Sequence, residues 1–411
     1  MPKSPLSARS FPRLGSTLSA AALTASTALV CGCPTTTGSA AEPFAESRGT
    51  SDIALAIYDD AILVEAAAFV DDANALSAAT EAWSSSPADT GARAEARKSF
   101  NKAMRRWQRL EVMQVGPLAL PKSTTVQGEG LRDELYSWPM TSPCEVDRNI
   151  ASEAFAGPQF INQKLVNAYG LDAAEYLLFV DTDDNACPSP ASLNTSGDWS
   201  SLNTDDILRR RAAYADVVAQ HVAATAADVD RRLNDFRAQI AEAGTDVSGY
   251  ASATDVLQAY LDAMFYLEFD TKDKKLGVTT GIHEDCIRDT CTDSIELRHA
   301  SLSISAIADN VEGFELMFNG GSTAADDKGI AGLLTLQGDE QLRDRIRNNI
   351  SAAKIHLAEH ESTDLFTLIE NDLDEARALH ASVKAITDDL KGDLVMALML
   401  VIPAEGGGDT D

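Results

Sequence analysis

Two acids three residues apart, Asp172 and Glu175, sit in the run Gly170, Leu171, Asp172, Ala173, Ala174, Glu175, Tyr176, Leu177, Leu178, Phe179. At helical spacing Glu175 falls four residues after Leu171, three before Leu178 and four before Phe179, so its carboxylate lies along the apolar stripe that should face a core. Burying an unpaired charge costs roughly several kcal/mol even after relaxation, so the position calls for an arginine, a metal ion, a proton or an organised hydrogen-bond shell. Asp172 falls on nearly the same side, and two half-buried carboxylates on one helical face make a binding-site candidate. They can share a hard cation such as iron(III), manganese or calcium, because carboxylate oxygens suit such ions and helical bundles build metal sites from inward carboxylates. The structural alternative is a shared proton or a salt bridge to Arg105, Arg106 or Arg298, with nothing bound.

Two further patterns carry histidine. His356, Leu357, Ala358, Glu359, His360 spells the inverted zinc-peptidase spacing, in which two histidines a turn apart hold zinc and the glutamate activates water. The apolar stripe of that helix runs Ile346, Ile350, Ala353, Leu357, which leaves both histidines at its border, and three fixed positions in five arise easily by chance. Gly281, Ile282, His283, Glu284, Asp285, Cys286 reads as a surface turn with a solvated histidine. There is no nucleophile elbow, phosphate loop or dinucleotide fingerprint.

The elements that must position these groups are helices. Asp52 to Trp83 carries Ile53, Ile57, Leu63, Val64 and Phe69 among alanines, and Arg93 to Val115 carries Phe100, Met104, Trp107 and Leu110 before Gly116 and Pro117 stop it. Phe160 to Phe179, interrupted by Gly170, holds the two acids, and a Pro, Ser, Asn and Gly-rich stretch from Asp181 to Asn203 follows it. Thr204 with Asp205 and Asp206 caps a long helix to about Ala243, and Ala251 to Phe269, Ser294 to Phe318, Glu340 to His360 and Asp364 to Leu390 continue the pattern. The reading is an all-α chain of two helical bundles, 51–200 and 204–403, each resembling a four-helix bundle, with a site at their interface.

The first thirty-odd residues give an address. Lys3, Arg9 and Arg13 precede a stretch of small and apolar residues from Thr17 to Val30, with no acid before Glu42, which is the layout of an export signal. It ends Leu29, Val30, Cys31, Gly32, Cys33, and Cys33 after a small residue resembles a bacterial lipoprotein processing site. Segment 1–32 is thus expected to be cleaved, Cys33 to be lipidated, 33–50 to be a flexible tether and 404–411 a disordered tail. Pro34 after the lipidated cysteine, where an inner-membrane retention signal would place aspartate, leans toward the outer membrane, at its periplasmic face or at the cell surface. Removing the three basic residues of 1–32 takes the formal charge from −29 to −32. That balance excludes nucleic acid and direct docking on anionic lipid, and it suits cations. Four cysteines remain, Cys144, Cys187, Cys286 and Cys291. Three disulfide connectivities are open to them, with Cys144–Cys187 and Cys286–Cys291 favoured because the second closes a short loop and the first ties the turn after Trp138 and Pro139 to the end of the Glu175 helix. Their spacings lack the paired short gaps of zinc sites.

Together these residues resemble the imelysin family of exported bacterial lipoproteins, whose motif reads Gly, any, His, two of any, Glu, followed by apolar residues. The run from Gly170 to Phe179 carries it. Trp107, Glu111, Gly116 and Pro117 resemble the family's first-bundle helix, Ser137, Trp138 and Pro139 its following turn, and Glu296, Ser303, Asn310 and Gly313 through Gly320 its second-bundle block, over roughly residues 51–403. The resemblance implies an all-helical fold of two bundles with the motif between them. It also implies ligand or cleft residues Asp172, Glu175, Glu111, Glu296, Arg298 and Ser303, and a role nearer to iron uptake or ligand binding than to the peptidase for which the family was named. The chain departs from the motif at Asp172, which occupies the histidine position and removes the imidazole that could hold zinc or act as a base. The expectation is a lipid-anchored protein that binds a divalent or trivalent metal ion, iron favoured, or a ligand or protein carrying it, through Asp172 and Glu175. A metal-dependent peptidase is the alternative, and it requires a histidine cluster near Glu175, from His299 or from His356 and His360.

Overall fold

Helical spacing produces helices throughout. The computed structural model describes residues 48–122, 125–321 and 327–403, and no strand occurs among them. Segment 1–32, Cys33, most of the 33–50 tether and the 404–411 tail lie outside the described residues, while residues 48–50 already belong to the first helix, Arg48–Ile57. Among the described residues no helix is long and apolar enough to cross a membrane.

Helix starts follow their capping residues. The Asp89 carboxylate accepts from Gly91 and Ala92 N–H and starts Thr90–Glu111, and Asn203, one residue before the expected Thr204, accepts from Asp206 N–H and starts Thr204–Ala241. Leu63–Ser85 packs against both of these helices, and Leu171–Phe179 lies against both as well. A second group joins Ser303–Asn319, Glu340–Glu359 and Leu373–Asp389 to Leu267–Val278, a stretch wound as π-helix. The long Thr204–Ala241 helix therefore packs with helices that precede the Asp181–Asn203 stretch.

The two groups meet where Thr90–Glu111 lies on Ser303–Asn319. A Cβ at Gly313 would stand 2.4 Å from the Arg109 carbonyl oxygen, so the backbones approach that closely only with glycine there. Arg105 and Arg109 then clasp the buried Asp309 at 2.8 and 2.7 Å, and Arg109 also reaches Glu65 at 3.1 Å. Large apolar side chains fill the space behind these ion pairs, Phe69 against Trp107 among them with ring centroids 5.4 Å apart, and burying each such ring contributes about 1.5–3 kcal/mol.

Several expected spans break where the chain turns toward the site. Phe160–Phe179 is not one helix: Phe160–Gln163 and a 3₁₀ turn, Val166–Ala168, precede Leu171–Phe179. Ser294–Phe318 is helical only from Ser303, because Leu297 and Ser301 adopt left-handed backbone conformations, φ 51° and 54°, that put Glu296 and His299 in a loop. The helix expected to end at Phe269 gives way at Met264 to the π-wound stretch. Asp364–Leu390 is split at Asp372, whose side chain caps the second piece.

Candidate functional site

The motif helix begins at a point that only glycine can occupy. Gly170 has φ 92°, and a Cβ there would meet the Leu135 carbonyl oxygen at 2.9 Å and Asp172 Oδ1 at 3.0 Å. Asp172 follows in the first turn and Glu175 one turn later, 6% and 7% exposed. Ser137 Oγ donates to Asp172 Oδ2 at 2.9 Å, while Oδ1 has no hydrogen-bond partner. Glu175 Oε1 accepts the backbone N–H groups of His299 at 2.8 Å and Ala300 at 2.9 Å, which pins the left-handed loop to the motif helix. Burial pushes Asp172 up to about 7, tempered by the Ser137 hydroxyl and nearby backbone N–H groups. Burial likewise pushes Glu175 up to about 7, opposed by the Ala300 and His299 N–H groups and reinforced by Glu296 and Asp172. Both carboxyls thus exchange protons near neutrality.

These two acids line a cavity of about 300 Å³ whose wall also includes Tyr136, Trp138, Tyr176 and Arg298. The expected arginine partners are engaged elsewhere: Arg105 on Asp309 and Glu361, Arg106 on Glu65 and Asp72, and Arg298 near Asp293 at 3.8 Å and over the Phe366 ring. His299 comes close through its backbone, and its ring stands edge-on to Tyr176 with centroids 5.3 Å apart. Burial, helped by Arg298, lowers the basicity of that imidazole. Among the described residues, no three histidine, cysteine or acid ligand atoms converge at Glu175.

Behind the cavity wall lies a second polar cluster, and it is closed. Lys275, 1% exposed, donates to Gln108 Oε1 at 2.6 Å and Asn310 Oδ1 at 2.8 Å and stands 3.0 Å from Glu296 Oε2 and 3.6 Å from Glu111 Oε2. Glu296 Oε1 also accepts from Tyr136 OH at 3.0 Å and Gln108 Nε2 at 3.1 Å. Glu111 accepts from Tyr266 OH at 2.7 Å and pairs with Arg132 at 2.8 Å. Tyr136 belongs to both layers, so the cavity wall is braced by the cluster. Ser303 hydrogen-bonds the Glu296 carbonyl at the start of its helix.

Of the six cleft residues expected, Asp172, Glu175 and Arg298 line the cavity, whereas Glu111, Glu296 and Ser303 stand behind it in the core. Sequence reasoning missed Lys275, the cation around which the inner acids are arranged, and the hydroxyls of Tyr136 and Tyr266. Cys144–Cys187 and Cys286–Cys291 are bonded as favoured, so the four cysteines hold no zinc. His283 sits beside Asp285 at 3.6 Å, just before the loop closed by the second disulfide. His356 and His360 do not approach Glu175 and meet Glu375 instead.

A family model described as imelysin matches residues 54–391. No curated protein matches the sequence. Among solved structures, an imelysin-like protein from Psychrobacter arcticum 273-4 superposes with a TM-score of 0.64 at 11% identity, over 86% of this chain and 97% of that one. A protein described as an iron-regulated protein A precursor from Parabacteroides distasonis ATCC 8503 also gives a TM-score of 0.64, at 14% identity over 88% of this chain and 97% of that one. At such identities the likeness is one of fold.

Proposed function

The chain belongs to the imelysin family, and from that premise we propose that it is an exported, lipid-anchored binding protein whose cavity takes a hard metal cation, iron first, as the ion or within a small metal-carrying ligand. The observation that carries the reading is Asp172 Oδ1, a buried carboxylate oxygen with no hydrogen-bond partner, next to a second buried carboxylate in a cavity wall where the arginine pairs with neither of them. Oxygen donors of this kind suit iron(III), manganese(II) or calcium better than zinc. Asp172 and Glu175 would hold the cation from one side, with the Ser137 hydroxyl fixing Asp172 Oδ2, and the space of about 300 Å³ leaves room for water or a chelating ligand on the other. A bound cation would supply the positive charge that the two acids lack. Because both carboxyls carry protons up to about pH 7, binding releases protons and strengthens as pH rises through neutrality.

Iron is put first because a protein of the same fold is described as iron-regulated. The address rests on residues 1–33, where a basic start, an apolar run and Gly32–Cys33 fit export and acylation. The peptidase alternative needs a histidine cluster at Glu175; Asp172 stands in the motif's histidine position and the His299 imidazole packs on Tyr176.

Calorimetric titration of the mature protein with iron(III) citrate, manganese(II) and calcium at pH 8 tests the proposal. One equivalent of a hard cation should bind the wild type and bind Asp172→Asn and Glu175→Gln at least tenfold more weakly. Heat that survives both substitutions unchanged would remove the cavity from the account.

A further inference from the structure

Three metal-ligating side chains converge on the second group of helices, and none of them lines the cavity. His356 and His360 stand one turn apart at the end of Glu340–Glu359, and each places Nε2 2.9 Å from the same oxygen, Oε1 of Glu375, on Leu373–Asp389. One ligand atom of each residue lies within 4.8 Å of the other two, which holds for no other such group among the described residues. We infer that His356, His360 and Glu375 form a binding site for a divalent transition metal of the zinc class, separate from the cavity.

The donor set argues for that class. Two imidazoles and one carboxylate are borderline ligands that select zinc, cobalt(II) or nickel(II) over the hard ions proposed for the cavity. Metal–nitrogen and metal–oxygen bonds of about 2.0–2.2 Å set ligand atoms roughly 2.9–3.4 Å apart around an octahedral or tetrahedral ion, so the observed 2.9 Å separations need only small side-chain shifts. An ordinary hydrogen-bonded pair would need one histidine. Here two rings, with centroids 6.0 Å apart, turn toward one oxygen.

The backbone supports the same charge pattern. His356 lies in the last turn of its helix and His360 caps it, so a cation sits at the negative end of that helix dipole. Glu375 lies in the first turn of Leu373–Asp389, at its positive end, and its own N–H is held by the Asp372 carboxylate at 3.1 Å. With side chains 20–35% exposed, the three residues leave an ion open to solvent and to water as a further ligand. Glu359, the fixed acid of the inverted zinc-peptidase spacing, is exposed and outside the group, so the inference is one of binding. A metal here would tie Glu340–Glu359 to Leu373–Asp389 across the short helix between them, Leu365–Asn371.

The test is calorimetric titration of the chelator-treated, full-length mature protein with zinc, and with cobalt(II) as a spectroscopic reporter. The wild type should bind one zinc per chain, about 100-fold more tightly than a His356→Ala, His360→Ala double variant and at least tenfold more tightly than Glu375→Gln. Asp172→Asn and Glu175→Gln should leave zinc binding unchanged, which keeps this site distinguishable from the cavity. Cobalt(II) in the wild type should give an absorption spectrum distinct from the aqueous ion, a readout that needs no variant to fold. Zinc binding unaltered in the double variant, zinc binding lost with Glu175→Gln, or a cobalt spectrum identical to that of the free ion would each overturn the inference.

Discussion

Glu111 and Glu296 on one side of Tyr136, and Asp172 and Glu175 on the other, are comparably buried acids that the fold treats in opposite ways. The inner pair encloses Lys275, takes hydrogen bonds from Gln108, Tyr136 and Tyr266, and has Arg132 at its edge. The cavity pair has a hydroxyl and two backbone N–H groups and no cation. A buried acid matched by a cation is held for structure. A buried acid left without one keeps its affinity for a ligand or a proton. The cavity is therefore a part of the core where electrostatic satisfaction stops short.

The largest effect should come from undoing the closed cluster. Lys275→Met leaves Glu296 without a cation and Glu111 with Arg132 alone, and a loss of about 3–5 kcal/mol is expected in chemical denaturation. A loss below about 1 kcal/mol would mean that the inner acids do not depend on that ammonium group. Next comes Glu175→Ala, which strands the His299 and Ala300 N–H groups; about 2–4 kcal/mol should be lost. Glu175→Gln keeps an acceptor oxygen and should cost less than about 1 kcal/mol while still weakening the cation, which separates the structural role of that side chain from its binding role.

The order in which these residues could be read from the sequence follows their physics. Glu175 was legible because a carboxylate in an apolar stripe breaks a local rule, and Asp172 because it replaces a motif histidine. Lys275 was not. The run Leu267–Val278 is rich in charge, and its π winding departs from 3.6 residues per turn and turns Lys272 and Lys275 inward. The loop holding Glu296 and His299 was read as helix because the apolar period runs into it, and what breaks that period is a tertiary contact, Glu175 on two backbone N–H groups. Glu375 was unreadable as a partner of His356 and His360, since its approach depends on how the chain from His360 to Asp372, with the short helix Leu365–Asn371, folds back. The all-helical class, the disulfide pairing and the family were legible because each rests on local spacing or short motifs.

The pH-dependent stability effect has the clearest sign. Asp172 titrates at about 7 in the folded protein, above its ordinary carboxyl range near 3.8, so its contribution to stability is full below about pH 4 and is lost as pH rises to 7. Asp172→Asn removes that loss. The variant should be roughly 1–3 kcal/mol more stable than wild type at pH 8 and indistinguishable from it near pH 4, read from paired denaturation curves. A variant less stable at pH 8 would show that the carboxylate is satisfied after all and would erase the contrast between the two acid pairs.

The central claim is that the cavity acids lack a cation that binding supplies. Titrating the mature wild-type protein with iron(III) citrate at pH 6 and at pH 8, with proton release followed in parallel, tests it most directly. One equivalent bound at pH 8, at least tenfold weaker binding at pH 6 and protons released on binding are predicted, all three lost in Asp172→Asn. Binding that ignores both pH and that substitution would contradict the account.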